Sequence, residues 1–234
     1  MISFLRITLM IIWTFSLMLI APLFIPFVMN RQFPLMVART VFAPVLMKIA
    51  GISIQVKGKE NVPKNRPVIF VSNHFSHLDI GCLCYSLPHN LHYIGKKELI
   101  WTPVVGWYMW VAGHIFIDRS NKRKAVKSIS KAAKKINAGK SVVVFAEGTR
   151  SKTQKVETFK KGAFHLAMEA EVDIVPVSIK GTFEVWKSGS FKITPGKVTV
   201  EIGKPVSHQN YDKKNVTDFV NRVRSIILEM QENN

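Results

Sequence analysis

Cysteine is almost missing from this chain: only Cys82 and Cys84 occur, one residue apart in an apolar stretch. That placement excludes a disulfide framework and predicts buried thiols in a reducing compartment. Acidic residues are scarce as well, 15 against 33 Lys and Arg, for a formal charge of +18 over 234 residues. Such an imbalance implies an anionic partner: nucleic acid, a membrane surface, or an acidic carrier and its phosphates. Composition does not choose among the three. No internal repeat is present, and the length fits one domain with an appendage and a sizeable core.

Charge is absent altogether from Ile7 to Met29. This run is longer than the apolar core of a signal peptide, so the segment is expected to stay attached. Pro22 and Pro26 kink or end any simple span. From Phe33 to Ile54, apolar residues mixed with Arg39 and Lys48 suit an interfacial helix. Arg31, Arg39 and Lys48 outnumber Arg6, which puts everything downstream on the cytoplasmic side. A helix that spans, one that dips in and returns, and a buried core helix all fit the first run. The chain therefore divides into a membrane-associated helical segment, 1–54, and an α/β domain, 55–234.

The domain is punctuated by strands that run into polar elbows. Val68, Ile69, Phe70 and Val71 read as a core strand, interrupted at Ser72 and Asn73, so His74 stands where a strand ends. Ligand sites of open α/β sheets lie outside the carboxyl ends of strands. Asp79 follows five positions later. On one regular helix the two side chains lie roughly 140° apart, but they meet if His74 is in the turn and Asp79 in the first helical turn. The pair then reads as a base and its orienting carboxylate. The plainer reading has Ser72 or Asn73 capping a helix, Asp79 complementing its dipole and His74 incidental.

Further along, Leu78 to Leu87 reads as a helix, and Leu91 to Gly95 as a short strand ending at Lys96 and Lys97, either solvated or facing a phosphate. Trp101 to Gly113, with Trp107, Tyr108 and Trp110, suits a lipid headgroup boundary, an acyl groove or ordinary core. Ile115 to Ile117 forms a strand with Asp118 and Arg119 at its end. Asn121 to Asn137 forms a helix with Val126, Ile129, Ala133 and Ile136 on one face and lysines on the other, closed by Gly139. Ser141 to Ala146 is a strand that discharges into Glu147, Gly148, Thr149 and Arg150. There a glycine admits close approach, a threonine offers a hydroxyl and an arginine a fork for phosphate oxygens. Lys160, Lys161 and Gly162 open the next helix, another possible anion site. Pro176 marks the strand Ile174 to Ile179 as an edge or an irregularity. Lys197 to Ile202 is the last strand, and Asp212 to Glu229 a helix covering the core. Strands alternating with helices give a substantially parallel sheet with its polar elbows on one rim.

These residues resemble the glycerolipid acyltransferases. NHFSHLD at Asn73 to Asp79 is similar to that family's catalytic block, GHIFIDR at Gly113 to Arg119 to its second, FAEGTRS at Phe145 to Ser151 to its third and IVPVSI at Ile174 to Ile179 to its fourth. KKEL at Lys96 to Leu99 and FKKGAFHLA at Phe159 to Ala167 are similar to recurring neighbours. The resemblance implies an α/β domain of that family with a mostly parallel sheet flanked by helices. It makes His74 the general base and Asp79 its orienter. Arg119, Glu147, Gly148, Thr149 and Arg150 would bind the glycerophosphate, with Lys96 or Lys97 as helpers. The implied reaction moves a fatty acyl group from an acyl carrier protein or coenzyme A thioester to the sn-2 hydroxyl of 1-acylglycerol 3-phosphate, giving phosphatidic acid in phospholipid biosynthesis. Glycerol 3-phosphate or another lysolipid is the alternative acceptor. No cofactor, metal or nucleic acid is implied. Ala146 stands where the family's third block has proline, which predicts a looser entry to that turn. Two rivals follow from the residues alone. One is a metal hydrolase built on His74, His77 and Asp79 with His89, His92 or His114. The other is a membrane-tethered basic binding protein without catalysis.

Overall fold

The computed structural model describes residues 1–212 and 214–232. Two apolar helices lead. The first, α1 (Ile2–Val28), and the second, α2 (Phe33–Ala50), are each long and apolar enough to cross a membrane. Pro22 and Pro26 do not break α1 but tighten it to a 3₁₀ turn at Ala21–Phe24 before it resumes. A π turn at Ala38–Phe42 interrupts α2.

The two helices form a hairpin laid along the domain. Arg6 Nη1 donates to Ala50 O at 2.8 Å, and the Ser3 hydroxyl donates to Ile193 O at 3.2 Å. The start of α1 and the end of α2 thus meet at one place on the domain, while the turn between them also touches it through Asn90 Nδ2 and Gln32 Oε1. Only 11% of the α1 window is buried, so the reading of that run as a core helix fails. The first strand, β1 (Ile52–Lys57), starts at once, so Ile52 to Ile54 belong to the sheet and not to the helical segment.

Among the described residues, seven strands form one sheet in the order β1-β7-β6-β2-β5-β3-β4. The others are β2 (Ile69–Ser72), β3 (His92–Lys96), β4 (Ile115–Ile117), β5 (Val142–Phe145), β6 (Ile174–Lys180) and β7 (Gly196–Ile202). All pairings are parallel except β6 with β7. Parallel strands buried on both faces read as continuous apolar runs, which is why β2 and β6 were visible in the sequence. The remaining helices are α3 (Asp79–Ser86), α4 (Val105–Val111), α5 (Lys122–Asn137), α6 (Gly162–Ala170), α7 (Thr182–Val185) and α8 (Val216–Glu232).

One face of the sheet packs α5, α6 and α8 around Ile69, Val71, Phe164 and Phe219. The other packs α1, α2 and α3 around Phe70, Val143, Val175 and Leu83. Along β2 and β5 successive residues alternate between these cores, as a period of two requires.

Four readings are decided or changed here. Pro176 is not on an edge, because β6 lies between β2 and β7. It occupies an irregularity: Ile174 pairs with Val206 but Val177 with Ile202, so the register slips by one residue across it. The missing N–H falls in that gap. Val126 does not join the buried face of α5 but stands 60% exposed. The last helix begins at Val216 rather than Asp212, and Lys213 lies outside the described residues. Finally, Trp101 and Trp110 are largely exposed while Tyr108 is buried, so the aromatic stretch is only partly core.

Candidate active site

Five parallel strands, β6, β2, β5, β3 and β4, end on one rim. β2 and β5 are neighbours there, with Ser72 opposite Phe145, so the elbows that follow them are forced together. The main chain of His74 bridges both: its N–H donates to Glu147 Oε1 at 2.9 Å, and its carbonyl accepts from Ser151 N at 2.8 Å. Asn73 extends the other flank, its side chain exchanging two 2.8 Å hydrogen bonds with the backbone of Ile179 as a further rung of the sheet would.

The imidazole of His74 is therefore set on a fixed backbone. Its Nδ1 lies 2.8 Å from Asp79 Oδ2, and its ring stacks on Phe145 with centroids 3.8 Å apart. Asp79 opens α3 and is fully buried. Its Oδ2 also accepts from Phe75 N at 2.7 Å and Ser76 N at 2.9 Å, and its Oδ1 from Thr182 Oγ1 at 2.6 Å. A carboxylate surrounded by donors compels Nδ1 of His74 to be one more, which leaves Nε2 as the acceptor tautomer. Neither Ser72 nor Asn73 caps α3, so the plainer reading of this stretch is not what the chain adopts.

His74 lines a cavity of ≈ 730 Å³, within the roughly 300–1,000 Å³ typical of ligand pockets. It runs from His74 and His77 past Leu78, Gly81 and Tyr108 to the underside of α1 and α2, and its walls are mostly apolar. An aliphatic chain fits most of these walls, in which Arg39 is the one side chain that is always charged.

Polar groups lie outside the mouth. The turn after β5 is closed by Gly148 N to Phe145 O at 3.0 Å and Lys160 N to Ala146 O at 2.8 Å; both bonds use carbonyls that a proline at 146 would also offer. Gly148 has φ of +76°, and an added Cβ would sit 2.7 Å from Lys160 Nζ. Lys160 thus joins this turn, a contact the sequence left as an undefined anion site. Arg150 brings its guanidinium against the His77 ring. Burial first, then Arg150 and His74, push the His77 pKa below its ordinary value.

Glu147 is not on the open rim. It is 3% exposed, and both its oxygens are taken by main-chain N–H groups, of His74 and, at 3.2 Å, of Glu157. Burial pushes its pKa up to about 7 against the pull of those two donors. It holds the main chain of His74 and is buried away from solvent, not on the open rim where the sequence reading put it. Gly148 and Thr149 are exposed beside it.

Arg119, Lys96 and Lys97 share the rim but not the immediate site. β4 lies three strands from β2, roughly 14 Å sideways. Lys96 and Arg119 are exposed, and Lys97 pairs with Asp118 at 3.2 Å. The histidines of the hydrolase alternative disperse: His89 bonds Ser141 and Pro63, and His92 and His114 face each other 6.0 Å apart. Among the described residues no three His, Cys, Asp or Glu are placed to hold a metal. Thr182 and Phe145 were missed in the sequence. Thr182 lies 103 residues from Asp79, and no local signal marks it.

A family model described as Acyltransferase matches residues 53–180. Over 220 residues the chain is 31% identical to 1-acyl-sn-glycerol-3-phosphate acyltransferase of Cocos nucifera, covering 94% of this chain and 70% of that protein. It is 35% identical over 191 residues to the protein of that name from Saccharomyces cerevisiae, covering 80% of this chain and 63% of that one. For 1-acyl-sn-glycerol-3-phosphate acyltransferase alpha of Homo sapiens the identity is 35%, over 76% of this chain and 63% of that one. The chain thus spans a little under two thirds of the yeast and human proteins. The crystal structure of the 1-acyl-sn-glycerophosphate (LPA) acyltransferase from Thermotoga maritima superposes with a TM-score of 0.79 at 28% identity, covering 100% of this chain and 99% of that one.

Proposed function

The chain belongs to the acyltransferase family, and from that premise we propose that it moves a fatty acyl group from a thioester to the free sn-2 hydroxyl of 1-acylglycerol 3-phosphate, producing phosphatidic acid. The observation that carries this reading is an imidazole tied at Nδ1 to a buried carboxylate, on a histidine that lines a mostly apolar cavity. Nε2 of His74 takes the hydroxyl proton as the oxygen attacks the thioester carbonyl. The tetrahedral oxyanion collapses by breaking the C–S bond, and the departing thiolate receives the proton from the imidazolium. Asp79 holds the ring in register and stabilises its cationic form. No Ser or Cys nucleophile and no cofactor beyond the thioester are required. Arg150, Gly148, Thr149 and Lys160 grip the phosphate at the mouth, with Arg119, Lys96 and Lys97 further along the rim. The acyl chain enters the cavity.

Membrane association follows from the same chemistry. At about 0.8 kcal/mol per buried methylene, withdrawing a chain of about sixteen carbons from a bilayer costs on the order of 10 kcal/mol. The enzyme must come to the lipid. The hairpin of α1 and α2 touches the domain at both ends, which favours a segment that enters one leaflet and returns. The excess of Arg31, Arg39 and Lys48 over Arg6 favours the cytoplasmic leaflet.

Purified protein in detergent, given matched acyl carrier protein and coenzyme A thioesters against lysophosphatidate, glycerol 3-phosphate and a neutral lysolipid, tests the reading. Turnover restricted to lysophosphatidate is expected. Preference for a neutral lysolipid would overturn the phosphate grip, and absence of acyl transfer the whole assignment.

A further inference from the structure

Helix α5 carries charge in a way that works against its own stability. Its sequence KRKAVKSISKAAKKIN contains no acidic residue. Lys122, Arg123 and Lys124 fill the first turn, at the end of the helix dipole that favours anions. Lys127, Lys131, Lys134 and Lys135 continue along the helix at spacings of three and four, where like charges repel by roughly 0.2–0.5 kcal/mol per pair. All seven are exposed, and among the described residues none forms an ion pair. Only Asn121 offsets this locally, its side chain accepting from Lys124 N at 2.9 Å. A row of unneutralised cations about 20 Å long, at 1.5 Å per residue, asks for a polyanion of similar length.

Two such anions are available to a membrane acyltransferase, and the fold separates them. The exposed apolar surface of α1 and α2 belongs to the side of the sheet that packs α1, α2 and α3. Helix α5 packs on the opposite side, with α6 and α8. Its basic face is therefore turned away from the surface that enters lipid. The row is also too long for the clustered phosphates of a nucleotide carrier and suits an acidic helix laid along it. Its N-terminal end reaches the rim, joined to β4 through Asp118, Arg119 and Ser120, roughly 14 Å sideways from His74. A thioester on a flexible arm has to cross that gap.

We propose that α5 is the docking helix for a small acidic acyl carrier protein, with Lys127, Lys131 and Lys134 contacting its acidic face and Arg119 and Lys122 guiding its arm to the cavity. The proposal rests on the thioester donor of the preceding section and specifies which carrier brings it.

The test uses the full-length protein in detergent. Lys127→Glu, Lys131→Glu and Lys134→Glu are combined in one variant, and Lys59→Glu, Lys197→Glu and Lys204→Glu, all exposed near the far sheet edge, in a control of equal charge. The α5 variant is expected to raise KM for the carrier thioester about tenfold or more, leaving kcat and the KM for the matching coenzyme A thioester unchanged. The control moves neither. Binding of fluorescent acyl-free carrier protein, followed by anisotropy, is lost in the α5 variant and weakens with salt in the wild type. Glutamine at the same three positions gives an intermediate loss and guards against misfolding. Equal shifts for both donors, no shift for either, or lost binding to anionic vesicles with unchanged carrier KM would each overturn the docking surface. If the wild type turns over no thioester, the acyl-transfer reading fails, while carrier anisotropy still decides whether α5 docks one.

Discussion

Thr182 Oγ1 donates a 2.6 Å hydrogen bond to Asp79 Oδ1, joining the first turn of α3 to the connection that leaves β6. Both groups are fully buried. This bond fixes the oxygen of Asp79 that His74 does not use, so the carboxylate cannot rotate away from the imidazole. Removing it while keeping the shape, with Thr182→Val, is expected to lower kcat about tenfold and stability by roughly 1.5–3 kcal/mol, the range for a hydrogen bond to a charged group. Steady-state kinetics and urea unfolding check this; an unchanged kcat would show that the carboxylate is held without Thr182.

His74→Ala should retain lysophosphatidate binding and lose roughly 10² to 10⁴ in kcat, the contribution of a positioned base. Asp79→Asn should approach the same loss, because an amide turned toward Phe75 N, Ser76 N and Nδ1 of His74 sets donor against donor. Near-normal turnover in either variant would remove the pair from the mechanism.

Glu147 provides a pH test of stability. Its carboxyl has a pKa of about 7 in the folded chain against about 4.3 when unfolded. Between those values the native state binds more protons, so its contribution to stability is greatest below the unfolded value and is lost as pH rises through 7. Glu147→Gln should abolish that slope, which amounts to a few kcal/mol across the window. Urea midpoints from pH 4 to 8 read it directly, and parallel curves for the two proteins would contradict it.

Gly95 lines the cavity, and a Cβ there would meet Met109 Cε at 2.9 Å, the movable end of a side chain. Gly95→Leu should therefore fold while shortening the space for the acyl chain. We expect kcat/KM for palmitoyl and stearoyl donors to fall about tenfold or more while decanoyl transfer persists, by comparison of donors of increasing length. A uniform loss across lengths would place the chain elsewhere.

Trp101 and Trp110 are 83% and 65% exposed, between β3 and β4. Replacing both with serine should weaken vesicle binding several-fold without moving the thermal midpoint, since neither ring is packed. Cosedimentation with liposomes measures it, and unchanged binding would assign membrane contact to α1 and α2 alone.

Much of this protein is local and could be read from the chain. Buried parallel strands leave apolar runs, so β2, β5 and β6 were visible. The turn from Ser72 to Asp79 is short enough that one elbow brings an imidazole and a carboxylate together. The long apolar run was equally plain, with 23 uncharged residues from Ile7 to Met29, but that it folds back as a hairpin on the domain was not. What the chain order could not settle depends on the order of strands across the sheet. Placing β5 beside β2 turns Glu147 inward beneath His74, and placing β4 three strands away leaves Arg119 at the far end of the rim. Bringing β6 to the other flank delivers Thr182 to Asp79. The slip in register between β6 and β7 lets Pro176 sit in mid-sheet. Side-chain pattern reports which residues are buried and which end a strand, but strand order is set by how all the elements pack at once, and no window of sequence contains that information.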